Sequence, residues 1–103
     1  MDISQLGKML EQAQQVKSQM DEKLAATIVE ASSGGGAVTV RMNGKKELLK
    51  LTIAPAAASA AASDITMLED LIVAAIHEAT RKATEAEATH ATGMLGGLGL
   101  PGF

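Results

Sequence analysis

The stretch Ala37-Val38-Thr39-Val40-Arg41-Met42-Asn43-Gly44 decides the fold, because its side chains alternate between apolar and polar and then stop at a turn dipeptide. The alternation predicts a strand with Val38, Val40 and Met42 on a buried face and with Thr39 and Arg41 on a wet one. Asn43-Gly44 predicts a two-residue type I′ turn, in which both central residues need positive φ. The stretch therefore indicates the middle of a β-hairpin.

Further strands are predicted on both sides of this hairpin strand. Upstream, the short β-branched segment Thr27–Ala31 leads into Ser32-Ser33-Gly34-Gly35-Gly36, which is typical of a strand followed by a turn. Downstream, Glu47–Ile53 alternates again and places Leu49, Leu51 and Ile53 on one face. Two consecutive hairpins predict a three-stranded antiparallel meander.

A long amphipathic helix is predicted before the meander. Between Ser4 and Ala26 the apolar residues recur in alternating steps of three and four, at Leu6, Met9, Ala13, Val16 and Met20. This spacing is typical of a helix with a coiled-coil-like seam.

A second long helix is predicted after the meander. Pro55 ends the third strand, and the alanine-rich connection 54–63 can be partly helical. The helix starts with Ser63 or Asp64 as its cap, although Thr66-Met67-Leu68-Glu69 also fits a capping box. We expect it to stop at Gly93. Residues 1–92 then form one α+β domain, and the glycine-rich residues 93–103 form a flexible tail.

The predicted lengths of the elements favour a homodimer with projecting helical arms. A second helix of about 28 residues is roughly 40 Å long, whereas strands of about six residues span only about 20 Å. The half that extends past the sheet needs a partner, and the first helix is the nearest candidate. A single three-stranded sheet also leaves open edges that a second copy could close.

Composition restricts the function classes further. The 103-residue chain has no cysteine, no apolar run that could cross a membrane and no signal-peptide pattern, which indicates a cytoplasmic location. The net charge is −3, but residues 1–50 carry seven Lys and Arg against six Asp and Glu, and the remainder carries two against six. Any nucleic-acid surface must therefore be a local patch.

Three stretches together carry a specific resemblance. They are Gly36–Gly44 in the meander, Met67-Leu68-Glu69-Asp70-Leu71-Ile72-Val73-Ala74-Ala75 in the second helix, and Leu100-Pro101-Gly102-Phe103 at the end. This pattern resembles the YbaB/EbfC family of nucleoid-associated proteins over essentially the whole chain. The resemblance implies a homodimer with central sheets and tweezer-like helical arms that binds duplex DNA and helps to organise the bacterial nucleoid.

Basic residues are the candidate DNA contacts. Arg81 and Lys82 form the one basic pair of the second helix and could face a common cleft in a dimer, although Glu78 and Glu85 are spaced to pair with Arg81 on an ordinary solvated face. Lys8 and Lys17 fall on opposite faces of the first helix. The densest cluster surrounds the Asn43-Gly44 turn, where it could touch phosphate or guard an exposed edge; it consists of Arg41, Lys45, Lys46 and Lys50.

No residues form a pattern expected of an enzyme or a metal site. His77-Glu78-Ala79-Thr80-Arg81 has arginine where a zinc-binding helix needs its second histidine, and Glu87-x-x-His90 has no second copy. No nucleophile has a base at a suggestive spacing, so we expect no cofactor and no small-molecule substrate. Without Trp or Tyr to stack on bases, any nucleic-acid partner is expected to be duplex.

A second hypothesis stays open beside DNA binding. The acidic balance, with Glu85 and Glu87 on the far half of the second helix, also fits a protein-interaction module. Such a module would act with replication, recombination or transcription machinery and touch DNA weakly or indirectly.

Overall fold

A computed structural model describes residues 2–97 of the chain, and the side chains of residues 2–93. The α+β architecture predicted from the sequence is confirmed: a long helix, three strands, and a second long helix preceded by a short one. The elements in chain order are α1 (Ile3–Ala26), β1 (Ile28–Ser33), β2 (Val38–Asn43), β3 (Leu48–Ile53), α2 (Pro55–Ala60) and α3 (Ile65–Gly97). The strands form one antiparallel sheet in the order β1-β2-β3.

The core lies between α3 and the first two strands. Val38 and Val40 of β2 are fully buried, as the alternation predicted, and Ala31 of β1 lies opposite Val40. The facing side of α3 consists of small residues, since Ala75, Ala79 and Ala83 have no exposed surface. Alanines let the helix axis come close to the sheet, so the thin core is closely packed although it contains no aromatic ring.

The β2–β3 turn differs from the predicted type I′ turn. Neither Asn43 nor Gly44 has positive φ; the left-handed residue is Lys46, with a φ of 66°. The amide of Lys46 donates to the carbonyl of Asn43 at 3.0 Å, and the amide of Asn43 donates to Glu47 at 3.1 Å. The connection is therefore a three-residue loop with its left-handed residue last, in which the Asn43 side chain accepts from the amides of Lys45 and Glu47.

A bulge interrupts the pairing of β2 with β3. Val38 lies opposite Ile53, Val40 opposite Leu51 and Arg41 opposite Lys50, but Met42 lies opposite Leu48. Leu49 is the extra residue, because the register shifts between Arg41 and Met42.

The β1–β2 turn is made by glycines. Gly34, Gly35 and Gly36 all have positive φ, between 61° and 97°, a conformation that other residues adopt only with strain. Next to them, the hydroxyl of Ser33 donates to the backbone carbonyl of Leu71 on α3 at 2.6 Å. This bond ties the end of β1 to the helix above it.

Helix α1 projects from the sheet as an arm. Its first turn is capped by Asp2, whose carboxylate accepts from the amide of Ser4. Residues 2–15 are all exposed, Val16 and Met20 are half-buried, and Leu24 is the one buried residue of the helix. The molecule measures 69 × 25 × 18 Å. The predicted contact between α1 and α3 is present, and next to it His90 of α3 hydrogen-bonds Thr27, the residue that follows α1.

Helix α3 begins at one of the two predicted caps but ends beyond the predicted stop. Asp64 is its cap, since the Asp64 carboxylate accepts from the amide of Met67 at 3.1 Å. The predicted stop at Gly93 is wrong, because the helix continues to Gly97. No atom lies within 4 Å of a Cβ built on Gly93, so this glycine is tolerated in an open helical position. The tail from Leu98 onward lies outside the described residues.

Candidate nucleic-acid interface

Arg81 is held by two carboxylates of its own helix. Its guanidinium donates to Glu78, one turn earlier, and to Glu85, one turn later. The hydrogen bond from Arg81 lowers the pKa of the Glu78 carboxyl, and the same bond, helped by the charges of both glutamates, raises the pKa of Arg81. The positive charge of Arg81 is thus locally compensated.

Lys82 is engaged by the sheet. Its side chain is half-buried, and its Nζ donates to the backbone carbonyl oxygen of Glu30 at 2.8 Å. Glu30 lies in β1, an edge strand of the sheet. Lys82 therefore satisfies a backbone carbonyl of an edge strand, and a lysine at this place disfavours pairing with a further strand.

Two basic residues near the β2–β3 turn are also paired. The Nε of Arg41 lies 3.7 Å from the Glu30 carboxylate on the neighbouring strand. The Nζ of Lys46 lies 3.6 Å from the Glu87 carboxylate on α3. Both are exposed ion pairs, which contribute little to stability but reduce the charge available to a partner.

The remaining lysines carry their charge without a recorded partner. Within residues 2–93, no carboxylate lies within ion-pair distance of the five lysines Lys8, Lys17, Lys23, Lys45 and Lys50, all of which are exposed. Three of these lie on α1. The unpaired lysines of the described chain therefore lie on the arm and the β2–β3 hairpin. Helix α1 also carries three carboxylates outside the ion pairs, Glu11, Asp21 and Glu22, so its net charge is zero.

The structure joins the turn to the base of the arm. The amide of Gly44 donates to the carbonyl oxygens of Leu24 at 2.8 Å and Thr27 at 2.9 Å, so Lys45 follows directly after a residue that touches the end of α1. Lys8 and Lys17 lie farther out and on opposite faces of α1, about 13 Å apart along its axis. The predicted basic residues thus fall on three surfaces: Lys8 and Lys17 along α1, the turn that contacts the end of α1, and α3.

The sequence did not predict the side chains that pair with these basic residues, or fix the end of α1, from distant positions in the chain. Glu30 and Glu87 hold Arg41 and Lys46, and a histidine fixes the root of the arm: His90 Nε2 and Thr27 Oγ1 are 2.9 Å apart. The Thr27 hydroxyl donates its one hydrogen to the carbonyl of Lys23, so it accepts from an Nε2–H of His90. No local sequence pattern indicates contacts between residues this far apart.

Other kinds of site have no support among the described residues. No three His, Asp or Glu side chains in that part of the chain lie together as a metal site would require. The helices searched there also lack an apolar stretch long enough to cross a bilayer.

The fold defines a class: a small α+β protein with a projecting helical arm that carries exposed lysines and an equal number of carboxylates. The comparison with protein families makes the assignment specific, since the model of the YbaB/EbfC DNA-binding family matches residues 1–98. The chain belongs to this family.

Individual relatives agree with the family assignment. A nucleoid-associated protein of Acidobacterium capsulatum is 61% identical over 98% of this chain and 96% of its own length. One of Koribacter versatilis is 43% identical over 95% of each chain. The crystal structure of an uncharacterized protein from Helicobacter pylori superposes with a TM-score of 0.76 at 33% identity, covering 92% of this chain and 98% of that one.

Proposed function

We propose that this protein binds duplex DNA as a homodimer with low sequence specificity, in the nucleoid of the bacterial cytoplasm, and contributes there to nucleoid organisation or gene regulation. Membership of a DNA-binding family supports the partner. The observation that supports the proposed site is that some basic side chains are paired with carboxylates and others are not. Arg81 on α3 is held by two carboxylates, whereas Lys8 and Lys17 on the arm have no recorded carboxylate partner among the described residues.

The arm and turn lysines are the strongest candidates for phosphate contacts. Lys8, Lys17 and Lys45 are exposed on long, flexible side chains and can reach a phosphate without first leaving a carboxylate. Lysine contacts to phosphate position a protein on duplex DNA but carry no sequence information. Binding through these residues would therefore be sequence-tolerant and strongly dependent on salt.

Arg81 and Lys82, the pair expected to face a common cleft, stay a weaker candidate. Arg81 would have to exchange two glutamates for phosphates, and Lys82 would have to leave the carbonyl of Glu30. Each exchange offsets part of the attraction that a phosphate offers. Arg41 and Lys46 face the same competition from Glu30 and Glu87.

The sheet edge formed by β3 is the proposed dimer surface. Lys82 occupies a backbone carbonyl of the opposite edge strand, β1, whereas no backbone hydrogen bond on the outer side of β3 is recorded within the described chain. Helix α3 packs on β1 and β2, and leaves apolar residues of β3 in solvent: Leu48 is 47% exposed, Leu49 53% and Leu51 37%. A second copy that covered this strand would bury these leucines and close the open edge.

A mobility-shift titration of random duplex at two salt concentrations tests the DNA proposal. Three lysines from each of two copies would neutralise about six phosphates, which gives a slope of roughly −5 in log affinity against log salt. The triple variant Lys8→Ala, Lys17→Ala, Lys45→Ala should bind at least tenfold more weakly at low salt and with a shallower slope. The matched variant Arg81→Ala, Lys82→Ala should bind more nearly like the unchanged protein.

If the Arg81, Lys82 variant lost more DNA affinity than the triple lysine variant, the phosphate contacts would lie on α3, in the cleft expected from the sequence. If neither variant changed the affinity or the slope, the proposal of direct binding through these residues would be wrong.

A second function is favoured by one feature of α3. The network of Glu78, Arg81 and Glu85 leaves this exposed face with an excess of negative charge, which suits a basic protein partner better than DNA. In that case the arms grip a protein of the replication, recombination or transcription machinery. Failure of the purified protein to shift random duplex at low salt would favour this reading.

A further inference from the structure

The apolar seam of α1 is exposed over more than half of the arm. Leu6 is 49% and Met9 53% exposed, and Met9, Gln12, Ala13 and Val16 line a shallow apolar groove. The opposite face of the helix is polar and consists of Glu11, Gln14, Gln15, Ser18, Gln19 and Glu22. An amphipathic helix of this kind normally buries its apolar stripe against another element.

Helix α3 ends too early to cover this stripe. The contact between Thr27 and His90 brings the two helices to the same level, and each helix advances about 1.5 Å per residue. From His90, α3 runs about 10 Å further to Gly97, which brings it level with about Met20 of α1. The 69 Å length of the molecule agrees with this, because α3 alone accounts for about 50 Å.

The chain that follows α3 has the length and composition to continue along the arm. Residues 98–103 read Leu-Gly-Leu-Pro-Gly-Phe, with three large apolar side chains and no charged one. Proline and two glycines disfavour a further helical turn. Six extended residues reach about 20 Å, which is the distance from the level of Met20 to that of about Leu6.

We propose that the segment Leu98–Phe103 docks in extended form on the α1 seam of its own chain, across Leu6, Met9, Ala13 and Val16. Starting at the end of α3, the segment enters the groove at Val16 and runs towards the tip of the arm. The side chains of the segment are apolar or absent and none is charged, as the groove requires, and the segment is covalently attached where the uncovered stripe begins. The docked segment makes the arm a pair of elements over nearly its full length.

Disulfide formation tests this placement directly, because the chain has no native cysteine. In the full-length protein, Leu100→Cys is combined with Ala13→Cys on the seam or, as the matched control, with Glu11→Cys on the polar face at nearly the same level. Under mild oxidation the Ala13 pair should form an intramolecular bond at least tenfold faster than the Glu11 pair. Non-reducing gels separate this product from a covalent dimer.

Equal rates for the two pairs would overturn the proposal, since an undocked segment reaches both faces. A product that is mainly the covalent dimer would also overturn it, because the seam would then be occupied by a second copy. Diluting the protein distinguishes the two products further, as the rate of an intramolecular bond does not depend on concentration.

Hydrogen exchange gives a readout without cysteines. Replacing Leu98, Leu100 and Phe103 by serine removes the apolar side chains through which the segment would dock. Amides of residues 7–16 should then exchange several-fold faster, while those of β2 keep their rates. Unchanged exchange in the arm would show that the segment does not cover it and would refute the docking.

Discussion

Gly44 and Leu24 are in direct backbone contact: the amide of Gly44 donates to the carbonyl oxygen of Leu24 at 2.8 Å. A Cβ at position 44 would lie 2.9 Å from Leu24 Cδ2 and 3.0 Å from the Leu24 carbonyl oxygen. The glycine is therefore required by the close approach of the turn to the end of α1, and not by a positive φ. This contact joins the sheet to the arm.

Substituting Gly44→Ala should destabilise the protein by about 1–3 kcal/mol, because the added methyl group overlaps backbone atoms that cannot move alone. Urea unfolding at fixed protein concentration measures the change. Gly7→Ala is the matched control: no atom lies within 4 Å of that position, and replacing a mid-helix glycine should stabilise by about 0.5–1 kcal/mol. Equal effects of both substitutions would mean that the turn does not press on Leu24.

Removing the amino group of Lys82 should cost stability even though the residue lies on a helix surface. Lys82→Met keeps most of the side-chain length but leaves the carbonyl of Glu30 without its donor, at a cost of about 1 kcal/mol. Lys17→Met removes a lysine that has no recorded partner and should be nearly neutral. The midpoint of thermal unfolding, compared at one concentration, distinguishes the two. A loss for Lys17 as large as that for Lys82 would contradict the edge role.

A single charged substitution tests whether β3 forms the proposed dimer interface. Leu49→Lys places a cation in the proposed interface and should shift the protein from about twice 10.6 kDa to the monomer mass in sedimentation at micromolar concentration. Val73→Lys is the control, since Val73 is also 53% exposed but lies on α3. If Leu49→Lys stayed dimeric, or if the unchanged protein were monomeric at all concentrations, the β3 interface would be wrong.

The pairing of Arg81 predicts a pH effect with a defined sign. The hydrogen bond from Arg81 holds the pKa of Glu78 below its ordinary value of 4.5. A depressed folded-state pKa adds stability above the unfolded-state value, and that contribution is lost as the pH falls through the folded-state value. Carboxyl NMR titration should show the Glu78 pKa rising towards 4.5 in Arg81→Gln and also in high salt. An unchanged pKa in Arg81→Gln would mean that the ion pair does not form in solution.

Local patterns in the sequence predict most of the fold. Strict alternation around Val38 and Val40 fixes β2 because the two faces of a strand differ only in the parity of the position. The seam from Leu6 to Met20 fixes α1 in the same way, through helical periodicity. Both patterns depend only on residues close together in the sequence, so they can be recognised without knowledge of the tertiary structure.

The errors arise where a residue type permits several conformations. Asn43-Gly44 favours a tight turn, but in the structure Gly44 contacts Leu24 and the connection is a longer loop with Lys46 in the left-handed region. Gly93 is a common helix stop, yet a glycine inside an exposed helix costs only about 1 kcal/mol and does not end it. In each case the outcome depends on neighbours that the local sequence does not contain.

The contacts of the basic residues also divide into those that the local sequence predicts and those that it does not. The pairing of Arg81 with Glu78 and Glu85 is foreseeable, since residues three and four apart are neighbours on a helix. The bonds of Lys82 to Glu30 and of Lys46 to Glu87 join distant parts of the chain and follow only from the packing of α3 on the sheet. Which lysines are available to DNA is therefore a property of the tertiary structure.

A small tilt of α1 about the contact between Thr27 and His90 produces a large displacement at the far end of the helix. Helix α1 is about 36 Å long, so a tilt of about 10° at this contact moves its tip by about 6 Å, which is half the width of a major groove. In the proposed homodimer, such a displacement would change the distance between the two arm tips by an amount comparable to half a groove width. The hydrogen bonds of Thr27 with His90 and of Gly44 with Leu24 together hold the arm at its tilt.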